Sequence, residues 1–209
     1  MLEVLILAFD GVEALDFAGP FEVFTTAGRM HQRLHPGVAP LFRVASVADV
    51  ADNGHAVAAR AGLRLRPDHT LADSPQADVL IVPGGVVEAP LASAATLAWI
   101  ATQAGAARIT ASVCTGAFLL AAAGVVGEGD LVTTHWEDVA DLRERFPSLQ
   151  VQEGPRWVDN DRVVTSAGIS AGIDMSLHLV ERLADRALAL RTARQMDFEW
   201  TQNKTTASV

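Results

Sequence analysis

The sequence predicts an α/β protein with a mostly parallel central sheet that is covered by helices on both faces. Short apolar runs of strand length alternate along the chain with longer segments of helical periodicity. Several of these runs are apolar at successive positions, which is typical of strands buried on both faces. A length of 209 residues suits one domain with a substantial core. Together these observations indicate a single α/β domain.

Apolar or alternating segments predict the strands. They cover residues 2–8, 41–47, 78–82, 108–113, 131–134, 157–158 and 162–165. Asn160-Asp161, between the last two segments, is a pair typical of turns. Weak alternation around Gly62 predicts a small hairpin made of residues 56–59 and 63–66.

Helical periodicity and end signals predict six helices. They cover residues 21–27, 88–104, 115–123, 136–145, 173–184 and 187–195. Gly19-Pro20 is predicted to open the first helix, because proline is favoured at the first helical position. Gly124 and Pro147 are predicted to end the third and fourth helices. Residues 30–40 form the one long loop that we expect.

Charge and cysteine content exclude several classes of protein. The net charge of −9 and a pI near 5.0 argue against binding to nucleic-acid phosphates, which needs a basic surface. One cysteine excludes an internal disulfide and a multi-cysteine zinc site. His31 and His35 have the spacing of a helical metal pair, but Pro36-Gly37 argues against a helix there. We therefore expect no metal site.

No segment predicts a membrane span or a secretory signal. Residues 1–10 lack the basic residues of a signal peptide, and the uncharged stretch 109–126 divides at Cys114 into a strand and a helix. We expect a soluble cytoplasmic protein, a compartment that keeps a lone thiol reduced. Residues 1–201 are predicted to form one domain, and residues 202–209 a polar tail.

Candidate site residues follow the predicted strands, where ligands bind in open parallel sheets. Cys114 is the strongest signal, because it lies between a strand and a helix with small residues around it. Such a junction exposes the side chain, and a helix N-terminus favours the thiolate form. The alternative is a small buried hydrophobic residue, which is the usual role of a free cysteine.

Two further strand ends and an isolated carboxylate complete the candidate set. Asp16 lies among apolar residues, where it needs a partner or a raised pKa, but the local sequence alone favours a role as cap of the following helix. Gly84 and Gly85 can present backbone N–H groups to a developing oxyanion, or form a plain turn. His135 and Trp136 follow another strand and can line a pocket, although most such histidines are structural.

Five segments together resemble the ThiJ/PfpI superfamily over residues 4–183. They are residues 15–20, 81–85, 112–117, 133–136 and 168–174, which match in order and spacing. The resemblance implies the class I glutamine amidotransferase-like fold, a flavodoxin-like three-layer sandwich. It also implies that Cys114 is the nucleophile.

Two branches of the superfamily are similar to this chain. Isocyanide hydratases convert isocyanides to N-formamides and carry an aspartate and a threonine at the positions of Asp16 and Thr115. Sensor domains of AraC-type regulators carry similar segments before a helix-turn-helix region. No such region precedes Val209, so a sensing role would operate without a DNA reader.

Two departures from the superfamily narrow the expected chemistry. Thr115 stands where PfpI-type proteases place a histidine, so we expect no Cys-His protease dyad. Asp16 stands where the glyoxalase and deglycase branch uses a longer glutamate, so glyoxalase- or amidase-like activity ranks third.

The resemblance therefore implies a cysteine-dependent hydratase of a small electrophile. Cys114 would attack the isocyanide carbon, Asp16 would move the protons, and a thioimidate would be hydrolysed. Backbone N–H groups near Gly84, Gly85 and Thr115 would stabilise charge, and the Thr115 hydroxyl would orient the site. We expect a homodimer that uses no cofactor, and the alternative function is a small-molecule or redox sensor.

Overall fold

Seven strands form the central sheet of the computed structural model, which describes residues 1–52 and 54–203. The eleven strands of the described chain are β1 (Leu2–Ala8), β2 (Phe42–Ala48), β3 (Val57–Ala58), β4 (Arg64–Leu65), β5 (His69–Thr70), β6 (Val79–Val82), β7 (Ile109–Val113), β8 (Leu131–Val132), β9 (Gln150–Val151), β10 (Trp157–Asn160) and β11 (Val163–Ser166). The order across the central sheet is β10-β11-β7-β6-β1-β2-β5. Strands β11, β7, β6, β1, β2 and β5 run parallel to one another, and β10 pairs antiparallel with β11 at the edge. The predicted mostly parallel sheet is confirmed.

Helices cover both faces of this sheet. They are α1 (Ala14–Leu34), α2 (Glu88–Ala92), α3 (Ala94–Ala106), α4 (Gly116–Ala122), α5 (Val139–Arg145), α6 (Ala171–Leu183) and α7 (Arg186–Gln195). Helices α1, α6 and α7 pack against one another, and α2, α3 and α4 form a second group. Because both faces are covered, β6 and β7 are buried along their whole length. The flavodoxin-like α/β fold predicted from the sequence is confirmed.

The first helix begins earlier than predicted. Helix α1 starts at Ala14 rather than at residue 21, so Pro20 lies inside the helix and Asp16 lies in its first turn, with Glu13 at the N-cap. The prediction relied on the preference of proline for a first turn. Here packing overrides that preference, because Gly19 lets α1 approach Ile173 of α6 closely.

Other boundaries differ from prediction for local reasons. Helix α1 runs to Leu34, so the predicted loop 30–40 is shorter and His31 is helical after all. The predicted helix 88–104 is two helices, because the Ser93 side chain accepts a hydrogen bond from Thr96 N and caps α3. Strands β5 and β9 have two residues each and were not predicted.

The chain after α7 returns to the edge of the sheet. Asn203 Nδ2 donates to Trp157 O (2.6 Å), and Asn203 Oδ1 accepts from Arg156 N (2.9 Å). Thr201 N donates to Asp174, whose carboxylate also binds the Arg156 guanidinium. Residues 204–209 of the predicted tail lie outside the described residues. Within residues 1–52 and 54–203, no helix is long and apolar enough to cross a membrane.

We expect Gly116→Ala to destabilise the fold strongly. A Cβ atom at Gly116 would collide with the backbone carbonyl of Val82, and that carbonyl cannot move without disturbing β6. The free energy of unfolding, measured with urea, should fall by about 2 kcal/mol or more.

Gly105→Ala is the matched control for this substitution. Gly105 also lies in a helix, and a Cβ atom there would have open space around it. This variant should gain up to about 1 kcal/mol from helix propensity. Equal stability changes in the two variants would contradict the packing argument.

Candidate active site

Three loops meet at the carboxyl end of the central strands. Strands β1, β6 and β7 are parallel neighbours, so the loops that follow them converge at one edge of the sheet. Glu13 N donates to Gly84 O (2.8 Å), and Val86 N donates to Gly11 O (2.9 Å). These bonds fix the loop after β1 against the loop after β6, and thereby place Asp16 beside β7.

The turn from β7 into α4 holds Cys114 in a left-handed backbone conformation. Its φ is 56°, which a residue with a side chain adopts at a cost of about 1–3 kcal/mol. Cys114 N donates to Ser166 O (3.0 Å), and Thr134 Oγ1 donates to Cys114 O (2.9 Å). The neighbouring strand and loop therefore hold the residue in this conformation from both sides.

Asp16 is fully buried and faces this turn. Its Oδ2 accepts from Gly84 N (3.3 Å), and its Oδ1 has no hydrogen-bond partner of good geometry among the described residues. The pKa of Asp16 is raised to about 7: burial raises it most and the negative charge of Glu13 adds to this, while hydrogen bonds from Cys114 and Gly84 N lower it. Asp16 can therefore hold or release a proton near neutral pH.

The thiol of Cys114 does not have the depressed pKa expected from its place before a helix. Burial raises its pKa most, and the negative charge of Asp16 adds to this, while the Thr115 N–H lowers it. Helix α4 has only seven residues, and its N-terminus does not compensate for the loss of water. Because the two groups interact, a proton on Asp16 favours ionisation of Cys114.

Thr115 and the two glycines form a bonded unit rather than a set of free donors. Thr115 Oγ1 accepts from Gly85 N (2.9 Å) and donates to Gly85 O (3.0 Å), while Gly84 N binds Asp16. The Gly84 and Gly85 N–H groups, predicted as oxyanion donors, are therefore already engaged. The Thr115 N–H, by contrast, lowers the pKa of the Cys114 thiol.

Gly168 separates Cys114 from His135. A Cβ atom at Gly168 would lie 2.6 Å from Cys114 Sγ and 2.7 Å from His135 Nδ1, so only glycine allows this approach. His135 Nδ1 is buried without a partner in the described chain. Trp136, which was also predicted to line a pocket, is 70% exposed, begins a 3₁₀ turn and does not line the pocket that contains Cys114.

A pocket of about 230 Å³ opens over Cys114. Its lining is Glu13, Arg60, Gly85, Cys114, Thr115, His135, Glu137, Asp138 and Ile169. Two larger cavities, of about 270 and 380 Å³, are not lined by Cys114. The smaller pocket is the candidate active site because it contains the thiol. No group of three or more potential metal ligands occurs among the described residues.

Five residues of this lining were missed at the level of sequence. Glu137 and Asp138 directly follow the predicted pair His135-Trp136, so their position was a usable signal. Glu13 follows the first predicted strand without a motif that marks a pocket residue, and Ile169 lies in the segment 168–174, which carries the resemblance. Arg60 reaches the pocket from the turn after β3, which no local pattern reveals.

A cysteine at a strand–helix turn, facing a buried acid at the carboxyl edge of a flavodoxin-like sheet, defines a class of α/β proteins with one cysteine-centred pocket. The family model described as "DJ-1/PfpI family" matches residues 2–182. The chain belongs to the DJ-1/PfpI family, which confirms the resemblance found in the sequence.

Three relatives illustrate the range of this family. The chain is 33% identical to an isonitrile hydratase of Pseudomonas putida, over 94% of this chain and 78% of the relative. It is 32% identical to the HTH-type transcriptional regulator GbdR of Pseudomonas aeruginosa, over 73% of this chain but only 41% of the regulator. The crystal structure of a ThiJ/PfpI family protein from Pseudomonas syringae superposes with a TM-score of 0.81 and 27% identity, covering 99% of this chain and 79% of that one.

We expect Asp16→Asn to change how stability depends on pH. The folded protein holds a proton on Asp16 that the unfolded chain releases above about pH 4, because burial raises the folded pKa to about 7. The contribution of Asp16 to stability is therefore full below about pH 4 and is lost as the pH rises through 7. Asparagine does not titrate.

Urea unfolding at a series of pH values measures this effect. The free energy of unfolding of the wild type minus that of Asp16→Asn should fall by a few kcal/mol between about pH 4 and pH 8. A difference that stays constant over this range would show that Asp16 titrates as an exposed carboxylate does.

Proposed function

We propose that the protein is a cysteine-dependent hydratase that converts a small isocyanide to the N-formamide. The observation that carries this proposal is the buried acid with a pKa of about 7 that interacts with Cys114. Hydration of an isocyanide needs one group that attacks carbon and one that both gives and takes a proton. The identity to an isonitrile hydratase supports the same reaction.

The first half of the reaction forms a covalent intermediate. Ionised Asp16 takes the proton of the Cys114 thiol, and the sulfur electron pair forms a bond to the terminal carbon of the isocyanide. Asp16 then returns the proton to this carbon, which has gained carbanion character. The product is a thioimidate, in which Cys114 is bound to a CH group that is doubly bonded to nitrogen.

The second half releases the product with water. Asp16 takes a proton from water as the oxygen attacks the thioimidate carbon, and Asp16 then gives this proton to the nitrogen. The carbonyl group forms as the carbon–sulfur bond breaks, and the hydroxyl proton returns to the sulfur. The net change is the addition of one water molecule to the isocyanide.

Thr115 and its partners position these groups. The Thr115 N–H stabilises negative charge on the Cys114 sulfur before attack and after release. The Thr115 hydroxyl, held on both sides by Gly85, keeps the loop after β6 closed against Cys114. In this proposal Gly84 orients the Asp16 carboxyl group rather than the substrate.

Sensing is the second candidate function. The specific observation in its favour is the similarity to a transcriptional regulator at nearly the same identity as to the hydratase. In a sensor, the pocket over Cys114 would bind a small molecule reversibly, or the thiol would be oxidised stoichiometrically. Turnover distinguishes an enzyme from both forms of sensing.

We also propose that the chain forms a homodimer, as its family resemblance implies. Light scattering coupled to gel filtration should then give twice the chain mass of 22.1 kDa. A mass of one chain at micromolar concentration would contradict this proposal.

Turnover of an aromatic isocyanide tests the hydratase proposal. Formamide production should fall by about 10³-fold or more in Cys114→Ala, because the attacking atom is lost. It should fall by about 10²–10⁴-fold in Asp16→Asn, which cannot exchange a proton.

Ser112→Ala is the matched control. Ser112 is buried two residues before Cys114 on β7, and its hydroxyl has no partner in the described chain, so this variant should keep wild-type turnover. Wild-type turnover in Cys114→Ala would exclude the covalent mechanism. Saturable binding without any turnover would favour the sensor.

A further inference from the structure

The lining of the Cys114 pocket carries an excess of negative charge. Three carboxylates line it: Glu13 at the start of α1, and Glu137 and Asp138 in the 3₁₀ turn after His135. Arg60 is the one permanent cation of this lining among the described residues. With His135 neutral, the lining has two more negative charges than positive ones.

The available cations do not cancel this excess. Arg60 pairs with Glu13 at 3.7 Å, but its side chain is 65% exposed, so water screens most of its charge. His135 Nε2 lies 3.5 Å from Glu137 Oε2 and offsets that carboxylate only when the imidazole is protonated. Asp138 forms no ion pair within residues 1–52 and 54–203.

Asp138 interacts electrostatically with the Cys114 sulfur and with other charged residues around the pocket. Asp138 is one of the groups whose negative charge raises the pKa of Cys114. The pKa of Asp138 is itself raised, first by burial and then by the negative charges of Asp141, Glu137 and Glu88, while His135 lowers it. Negative charges therefore act on the sulfur, on the lining of the pocket and on the residues next to it.

Such a potential selects ligands by charge. A cleft lined by one sign of charge concentrates ions of the opposite sign and repels those of its own sign. The net charge of −9 on the whole chain acts in the same direction at long range. A reagent or substrate that reaches Cys114 comes close to Glu137 and Asp138, since all three residues line the same small pocket.

We propose that the Cys114 pocket selects small electrophiles that carry a cationic group, accepts neutral ones less well, and disfavours anionic ones. Glu137 and Asp138 are the residues that determine this order. The chemical identity of the electrophile as an isocyanide rests on the proposed function, whereas charge selection is a property of the pocket itself.

Labelling of the thiol tests charge selection without any enzyme assay. Cys114 is the only cysteine of the chain, so every labelled sulfur reports on this pocket. Two methanethiosulfonate reagents of equal chain length are used, one with a trimethylammonium group and one with a sulfonate group. The Cys114 thiolate attacks the sulfenyl sulfur, a disulfide bond forms, and methanesulfinate leaves.

The rate at which each reagent labels Cys114 is divided by the rate at which it reacts with 2-mercaptoethanol. This division removes the difference in intrinsic reactivity between the two reagents. At low ionic strength the cationic reagent should label Cys114 about tenfold faster than the anionic one. The ratio should approach one in about 1 M salt, where charges are screened within about 3 Å. A cationic reagent that labels no faster than the anionic one, or not at all, would overturn the proposal.

Charge variants locate the selection. Glu137→Gln and Asp138→Asn should each lower the labelling ratio several-fold, because each removes one negative charge from the lining. Glu128→Gln is the control, because it changes the net charge by the same amount. Glu128 is exposed and lies before β8, whereas the pocket residues Glu137 and Asp138 lie after it, so this variant should keep the wild-type labelling ratio. An equal loss in all three variants would overturn the assignment of selection to the pocket.

Isocyanides with a trimethylammonium, a neutral or a carboxylate substituent separate this proposal from the hydratase proposal. If both hold, kcat/KM decreases in that order. If the cationic reagent labels Cys114 faster than the anionic one but no isocyanide is turned over, charge selection is supported and the hydratase proposal fails. If neutral isocyanide is turned over through Cys114 but the labelling ratio is one, the hydratase proposal stands and charge selection fails.

Discussion

The lack of space at Gly116 is the constraint on which the site depends. Helix α4 begins directly over the end of β6, with the backbone of residue 116 against the carbonyl of Val82. The chain must therefore turn from β7 into α4 within two residues, and Cys114 takes the left-handed conformation that this turn requires. The same contact fixes the loop after β6, which in turn holds Asp16 and Thr115.

Burial and charge act together on the pair at this turn. Removing Asp16 and Cys114 from water raises the pKa of both groups, so neither is simply activated by its place in the fold. Each group instead depends on the protonation state of the other. A thiol that ionises only when a neighbouring acid holds a proton is suited to a reaction in which attack and proton transfer alternate.

The sequence predicts the fold well because its strong signals are local. The apolar runs of β1, β6 and β7 and the turn at Asn160-Asp161 are visible within a few residues. The start of α1 is not, since the packing of Gly19 on α6 decides whether Pro20 can lie inside the helix.

In the candidate site, too, some features can be predicted from local sequence and others depend on packing. Cys114, Asp16 and Thr115 are predicted from motifs, and the structure brings them together with Gly84 and Gly85. The pKa of the Cys114 thiol is raised rather than lowered mainly because the residue is buried, and burial cannot be derived from a motif. The outward turn of Trp136 and the approach of Arg60 depend on the course of the chain through 3₁₀ turns, which local sequence does not specify.

Asn203 has a consequence for how copies of this protein behave at high concentration. Strand β10 ends the central sheet, and the outer edge of a terminal strand offers backbone groups that can pair with another chain. The amide of Asn203 mimics a peptide group and occupies the donors and the acceptor at the beginning of this strand. The segment that contains Asn203 therefore leaves these backbone groups unavailable for pairing with a strand of another chain.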